Sequence, residues 1–476
     1  MDDGSGRFTR YHAGVPTTRF ATVIGLAGTS LLAIAAWLAS PWGLGFAGRF
    51  NTVPVRAAHA LPAIFGLAAV FIGWLRLGVR PLTELWHTFA LWVLPLLVCP
   101  PLLSKDAWAY LEQGWIVLQG FDPYLIGLST LGGPFGGRVD SYWQGTTPVY
   151  PPLALLVQAA VVALSGAHSF WSLLAMRLPG LIAMLAIGAC LPGIARAVGG
   201  DPRRAVWFGL LNPLALVHFI GGMHNDSWAT ALGVLGVWLA ARRPRAWLLG
   251  CGLVGLGMAI KQPIGLLMVP ICLFGVAVAE TDPAAAWRRV LVPALWRLPL
   301  GLAATLAGFA IPTLASGWGL GWAKGSGAPF TAGSQSVAHT VAAGLEKIAG
   351  WPMARCMVAV GPVFMGIGVL LIGWLGWRFA ATRPLAFGAW GLVVFAFTYP
   401  SLQPWYALWG GLLLGAVVLA ERTERWVIAV LGCLLATGVL LDYAGWPIPI
   451  AQLAAIVLAW PLSRLAAHAR MAAITT

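Results

Sequence analysis

"LLSKDAWAYLEQGW" occupies residues 102–115, and its reading decides how the rest of the chain is laid out. Only 9% of the sequence is Asp, Glu, Lys or Arg, yet Lys105, Asp106 and Glu112 follow directly on an apolar run that ends at Leu103. An apolar segment therefore stops here, at a boundary with water, and a helix of different character starts.

The rest of the chain supports that reading. It has 476 residues, 59% of them hydrophobic, and a mean hydropathy of +0.82. Apolar stretches recur from residue 20 to residue 465 with no polar helix face, the pattern of membrane helices that need ~20 apolar residues each. The expected fold class is an all-α integral membrane protein. Segments near 20–40, 60–79, 84–103, 171–196, 205–222, 227–241, 246–260, 263–279, 297–315, 352–377, 385–399, 405–420, 425–441 and 449–465 make about fourteen transmembrane helices. They form one domain over 20–465, between cytoplasmic tails at 1–19 and 466–476. Outer loops fall at 104–150 and 316–350. The apolar segment "YPPLALLVQAAVVALSG" (150–166) is read as re-entrant or interfacial, because a crossing there would move every later basic cluster outside.

The net charge of +14 does not point to nucleic acid. The basic residues cluster between apolar runs, as in Arg203 and Arg204, or Arg242, Arg243 and Arg245. That is the distribution of cytoplasmic loops, not a basic stripe with stacking aromatics. The six cysteines are scattered through apolar runs without C-x-x-C spacing and read as buried hydrophobes. "GLGFAG" (43–48) and "GCGLVG" (250–255) match G-x-G-x-x-G but follow no strand, and 59 glycines make chance matches expected. No nucleotide-binding machinery is visible, so chemistry on the outer face needs a donor that arrives through the membrane.

With the basic clusters placed inside, the uncommon polar stretches collect outside. They are residues 104–114, "FDPY" (121–124), "RVDSYWQGTTPVYPP" (138–152), "GGMHNDSW" (221–228), "IKQP" (260–263) and "YPSLQPWYALW" (399–409). All four lysines, Lys105, Lys261, Lys324 and Lys347, fall on that side. Such convergence suggests a site at the membrane surface.

Residues 105–119 are expected to form an amphipathic outer-surface helix. Trp108, Leu111, Trp115 and Leu118 would lie in the acyl boundary, Lys105, Glu112 and Gln119 in water, and Ser104 at the N-cap. Asp106 is either a carboxylate favoured by a helix N-terminus or a functional group beside a lysine. His224 and Asp226 are equally a helix cap or site residues. Lys261, after fifteen apolar residues, reads as a phosphate partner, with a snorkelling lysine as the alternative. Trp143, Tyr150, Trp405 and Tyr406 flank turns where sugar rings stack, although interfacial belts use the same residues. No His or Cys spacing suggests a metal ligand set.

"SKDAWAYLEQGWIVLQGFDPY", "YWQGTTPVYPPL", "LLNPLALVHFIGGMHNDSW", "KQP" and "PSLQPWYALWG" occur in the order found in the actinobacterial polyprenyl-phosphate-mannose-dependent α-1,6-mannosyltransferases, which the chain resembles over roughly residues 60–465. The resemblance implies a GT-C-like helical bundle in the bacterial plasma membrane with its active site on the outer, periplasmic face. It implies an inverting transfer from polyprenyl-phosphate-mannose to the 6-hydroxyl of an α-1,6-mannan in lipomannan and lipoarabinomannan synthesis. Asp106, in the first large outer loop, then corresponds to the catalytic residue, with Lys261 and Lys105 on the donor phosphate. His224, Asp226, Trp143, Tyr150, Gln403, Trp405 and Tyr406 would face sugar or acceptor. The implied partners are the lipid-linked donor, the mannan or lipomannan acceptor and membrane lipids, with no cofactor, no metal and no nucleic acid. Two other readings stay open: an arabinofuranosyl or glucosyl lipid donor, and a transporter or lipid flippase.

Overall fold

The computed structural model describes residues 15–40, 53–325, 334–445 and 448–475. The expected tail before residue 15, the glycine match at 43–48, residues 326–333 of the second outer loop and Thr476 lie outside the described residues. Among those described, every regular element is helical.

Six helices there are long and apolar enough to cross a membrane, or seven if one pair bent by 41° counts as a single span. Four of the six lie in or coincide with α1 (Val15–Ala39), α2 (Val53–Leu77), α9 (Pro283–Ser316) and α12 (Glu421–Asp442). A fifth joins Ser169–Ala175 to α6 (Arg177–Ala197), and the sixth includes α10 (Met353–Leu375). The remaining main helices are α3 (Leu82–Leu97), α4 (Asp106–Leu118), α5 (Pro152–Leu164), α7 (Asp226–Arg242), α8 (Trp247–Met258) and α11 (Pro384–Thr398).

The count is below the expected fourteen for a physical reason. Several apolar stretches are cut into short pieces at proline, which has no N–H to continue a helix. The stretch at 405–420 becomes a 3-10 turn at Pro404–Ala407, one α turn at Leu408–Gly411 and another 3-10 turn at Leu412–Gly415. The stretch at 263–279 yields a 3-10 turn at Gln262–Leu267 and a helix of only Met268–Leu273. Other stretches are apolar because protein surrounds them; α7 is buried along most of its length. Hydropathy does not separate a protein interior from lipid.

α5 has 13 residues, so it rises ~20 Å against a hydrocarbon thickness of ~30 Å. It is too short to cross straight. Its partner is α4. A Cβ on Gly114 would lie 2.5 Å from the carbonyl oxygen of Gln158, so only glycine allows the two backbones to touch there.

That contact corrects the expected amphipathic helix. Trp108 is 7% and Leu111 0% exposed, covered by protein. Glu112, expected in water, is fully buried, and its Oε2 accepts a hydrogen bond from the Phe135 N–H at 3.1 Å. Of the expected 105–119 helix only its two ends, Lys105 and Leu118–Gln119, are exposed. The 120–150 segment folds over α4 and is tied to it: the Arg138 guanidinium sits 4.9 Å over the Trp108 ring. Asp122 accepts from the Tyr124 N–H at 2.9 Å, and the Tyr124 hydroxyl donates to the Tyr150 carbonyl at 2.7 Å. The "FDPY" turn thereby fixes the strandless end of this loop beside the site.

Candidate active site

Asp106 begins α4, with Lys105 in the cap position; the Ser104 hydroxyl still accepts from the Asp106 N–H at 3.1 Å. The segment before it is held from two directions. Arg177, buried at the start of α6, donates to the carbonyls of Cys99 and Pro100, and the Leu102 N–H donates to the Gly221 carbonyl at 3.1 Å. Leu103 adopts φ 51° and Met223 φ 58°, left-handed backbone that costs non-glycine residues energy. These two lie just before Asp106 and His224, the pair they bring together.

His224 Nδ1 lies 3.4 Å from Asp106 Oδ2. The His224 ring is fully buried and stacks on Trp405, with centroids 3.5 Å apart at 18°. The Tyr110 hydroxyl is 3.5 Å from Asp106 Oδ2, from Tyr150 Oη and from Asn225 Oδ1, so its one proton can go to any of them. Burial raises the Asp106 carboxyl, but His224, Lys261 and Ser104 outweigh it and hold the group below its ordinary value. Asp106 is therefore a carboxylate, an acceptor for protons.

Lys261 stands at the break between α8 and the Gln262–Leu267 turn. Its Nζ is 3.4 Å from Asp226 Oδ1, which also accepts from the Trp409 indole N–H at 2.7 Å. The ammonium lies 4.7 Å over the Tyr406 ring and 4.9 Å over Tyr150, an aromatic surround that favours a cation out of bulk water.

Both groups line one cavity of about 1110 Å³. Eight of the ten expected residues line it: Lys105, Asp106, Trp143, Tyr150, Lys261, Gln403, Trp405 and Tyr406. His224 and Asp226 do not. Both are fully buried behind the wall, one against Asp106 and the other against Lys261. Lys105 stands at a solvated part of the lining. It pairs with Asp140 at 3.5 Å with its side chain 67% exposed, a contact worth little.

Sequence reading missed Tyr110, Gln113, His218 and Asp442, all of which line the cavity. Tyr110 and Gln113 follow Asp106 by four and seven residues, the spacing of one helix face, and that signal was available. His218 sits in a π turn, Leu216–Gly221, a conformation frequent at functional sites. Its ring lies 5.1 Å from Trp405, and among the described residues neither ring nitrogen has a hydrogen-bond partner.

The family model "Alpha-(1->6)-mannopyranosyltransferase, N-terminal domain" matches residues 22–280, more than half of the chain. The chain belongs to the alpha-(1->6)-mannopyranosyltransferase family. It is 28% identical over 431 residues to a probable alpha-(1->6)-mannopyranosyltransferase of Mycolicibacterium smegmatis, covering 78% of this chain and 72% of that protein. Two alpha-(1->6)-mannopyranosyltransferases of Mycobacterium tuberculosis are similar to it: one is 29% identical over 87% of this chain and 80% of its own length, the other 28% over 72% and 68%. No solved structure matches. In this member of the alpha-(1->6)-mannopyranosyltransferase family the matched region carries Asp106, His224, Asp226 and Lys261. Trp405, Tyr406, Trp409 and Asp442, which also line the cavity, come from the part beyond it.

Proposed function

We propose that the chain is an inverting glycosyltransferase that moves mannose from polyprenyl-phosphate-mannose to the 6-hydroxyl of an α-1,6-mannan of the lipomannan type. One observation carries the reading: an ionised carboxylate and an aromatic-caged ammonium, Asp106 and Lys261, line the same cavity. In this reaction the acceptor O6–H gives its proton to Asp106 as O6 attacks the mannosyl C1. The C1–O bond to phosphate breaks, and its electron pair stays on the phosphate oxygen. Attack opposite the leaving group turns a β-linked donor into an α-linked product. A glycosidase needs a second carboxyl group to protonate its leaving alcohol. A departing lipid phosphate is already a stable anion, and the remaining need is a cation, which Lys261 supplies.

The outer-face assignment has its own support. α7 runs from Asp226 at the cavity to Arg242, with Arg243 and Arg245 just beyond. Its 17 residues separate the cavity from that basic cluster by ~25 Å. Basic clusters stay in the cytoplasm, so the cavity belongs to the opposite face of the plasma membrane. A helical membrane frame with the acidic residue in its first large outer loop is the arrangement expected of the GT-C class.

Membranes containing the protein, supplied with radiolabelled polyprenyl-phosphate-mannose and a short α-1,6-mannoside, should elongate the acceptor. Transfer from an arabinofuranosyl or glucosyl donor instead would change the sugar and leave the mechanism. Vesicle uptake or lipid flipping without any transfer would sink the enzyme reading.

A further inference from the structure

One run of side chains joins the base to the ammonium. His224 stands 3.4 Å from Asp106 and stacks on Trp405, with ring centroids 3.5 Å apart. The Trp405 and Tyr406 rings are 5.9 Å apart, and the Tyr406 ring lies 4.7 Å from the Lys261 ammonium. His218 packs against the middle of this run, its ring centroid 5.6 Å from His224 and 5.1 Å from Trp405.

The local backbone puts the two histidines side by side. The Gly222 N–H donates to the Val217 carbonyl at 2.8 Å, and the His224 N–H to the His218 carbonyl at 3.2 Å. A Cβ on Gly222 would lie 2.9 Å from that His218 oxygen and 3.0 Å from His224 Nε2, so the turn closes this tightly only with glycine.

His218 is 1% and Trp405 7% exposed, and both line the cavity. Among the described residues neither ring nitrogen of His218 nor the indole N–H of Trp405 has a hydrogen-bond partner. Buried polar atoms without partners are costly, and a phenylalanine at 218 would pack against Trp405 without that cost. These atoms therefore suit a ligand that brings hydrogen-bonding groups into the cavity. A neutral imidazole has one N–H to give and one lone pair to accept, the same two capacities as a hydroxyl group. Position selects which hydroxyl. The acceptor O6–H meets the run at Asp106, and the donor phosphate meets it at Lys261. What lies along the stretch between them is the sugar in transit.

We propose that His218, with the Trp405 indole N–H beside it, hydrogen-bonds a hydroxyl of the mannosyl unit being transferred and so helps to select the sugar of the lipid-linked donor. The proposal rests on the transferase reading above and adds to it a residue that reads the donor sugar.

The test uses the full-length protein in membranes with α-1,6-mannotriose as acceptor. Donors are polyprenyl-phosphate-mannose and its 2-, 3-, 4- and 6-deoxy analogues, and kcat/KM is measured for the unmodified protein, His218→Phe and His218→Gln. In the unmodified protein at least one deoxy donor should be about 10- to 100-fold poorer than the mannosyl donor. His218→Phe keeps a ring against Trp405 and has no nitrogen. It should lose a similar factor with the mannosyl donor and transfer that deoxy sugar nearly as well as mannose. A purely structural role would lower all donors alike and keep their ratios. His218→Gln, whose amide both gives and accepts, should keep part of the preference, and it carries the comparison if the Phe variant does not fold. Donor ratios that are the same in the unmodified protein and the variant overturn the inference and leave the transferase reading intact. If the unmodified protein transfers no mannose, the transferase reading fails, and equilibrium binding decides for His218. Tighter binding of polyprenyl-phosphate-mannose than of sugar-free polyprenyl phosphate, lost in the variant, supports it. An equal preference in both proteins, or none in either, overturns it.

Discussion

His224 Nδ1 lies 3.4 Å from Asp106 Oδ2, although 118 residues of sequence separate the two and the histidine is fully buried. The pairing leaves the outer part of the carboxylate, 25% exposed, to the cavity. A general base needs that combination of a fixed charged form and an open lone pair.

Asp106→Asn keeps the size and shape of the side chain and removes its basicity. Transfer should fall about 10²- to 10⁴-fold, the usual contribution of a positioned base. Fold and donor binding should persist. Normal elongation of a mannoside by this variant would remove Asp106 as the base.

His224→Ala tests how the carboxylate stays ionised. Burial pushes Asp106 up, and the hydrogen bond and charge of His224 lead the opposition. Without the histidine the carboxyl pKa should rise, and the acid limb of the kcat/KM profile should move to higher pH. An acid limb that stays where it is would mean that Lys261 and Ser104 suffice.

Lys261→Met should abolish productive donor binding and also destabilise the protein, because it strands Asp226, 0% exposed, without its cation. Breaking a buried pair from one side costs about 3–5 kcal/mol. The double variant Lys261→Met, Asp226→Asn should recover most of the thermal stability and none of the transfer. That separation of fold from activity is read by thermal unfolding in detergent beside the transfer assay.

Glu112 should make stability depend on pH. Burial lifts its carboxyl from the ordinary 4.5 to about 7, despite hydrogen bonds from Phe135, Gly136 and Gly133. Between those values the folded protein holds a proton that the unfolded chain releases. The contribution of Glu112 to stability is therefore full below pH ~4.5 and declines as pH rises toward ~7. Glu112→Gln, neutral throughout, should flatten the fall in melting temperature over this window. An equal slope in both proteins would place the effect elsewhere.

Glycine contact gives a structural check. Gly114→Val places side-chain carbons where the Gln158 carbonyl lies, 2.5 Å from the first of them. α4 would be driven from α5, carrying Asp106 with it, and loss of transfer should accompany lowered stability.

The residues of the site were legible to different degrees, for reasons particular to each. Asp106 and Lys261 stood out because a charge is expensive in apolar surroundings and has to be explained. Tyr110 and Gln113 were within reach through the helical spacing from Asp106. His218 and Asp442 gave no local signal: one depends on a π turn and the other on where α12 ends. His224 and Asp226 were found, but their position behind the cavity wall was not legible, since a sequence does not tell the front of a wall from its back.

By itself the sequence determined the class of molecule, because hydropathy and the segregation of arginine are sums over local segments and need no knowledge of contacts. It determined the α4 stretch as the turning point for the same reason. Which apolar stretches are long enough to cross, and that Trp108, Leu111 and Glu112 are covered by protein, was decided only by tertiary structure. A residue's apolar character records that water is absent and is silent about what replaces it. The convergence of Asp106, Lys261 and Asp442 on one cavity was likewise decided by packing, since the three come from separate parts of the chain.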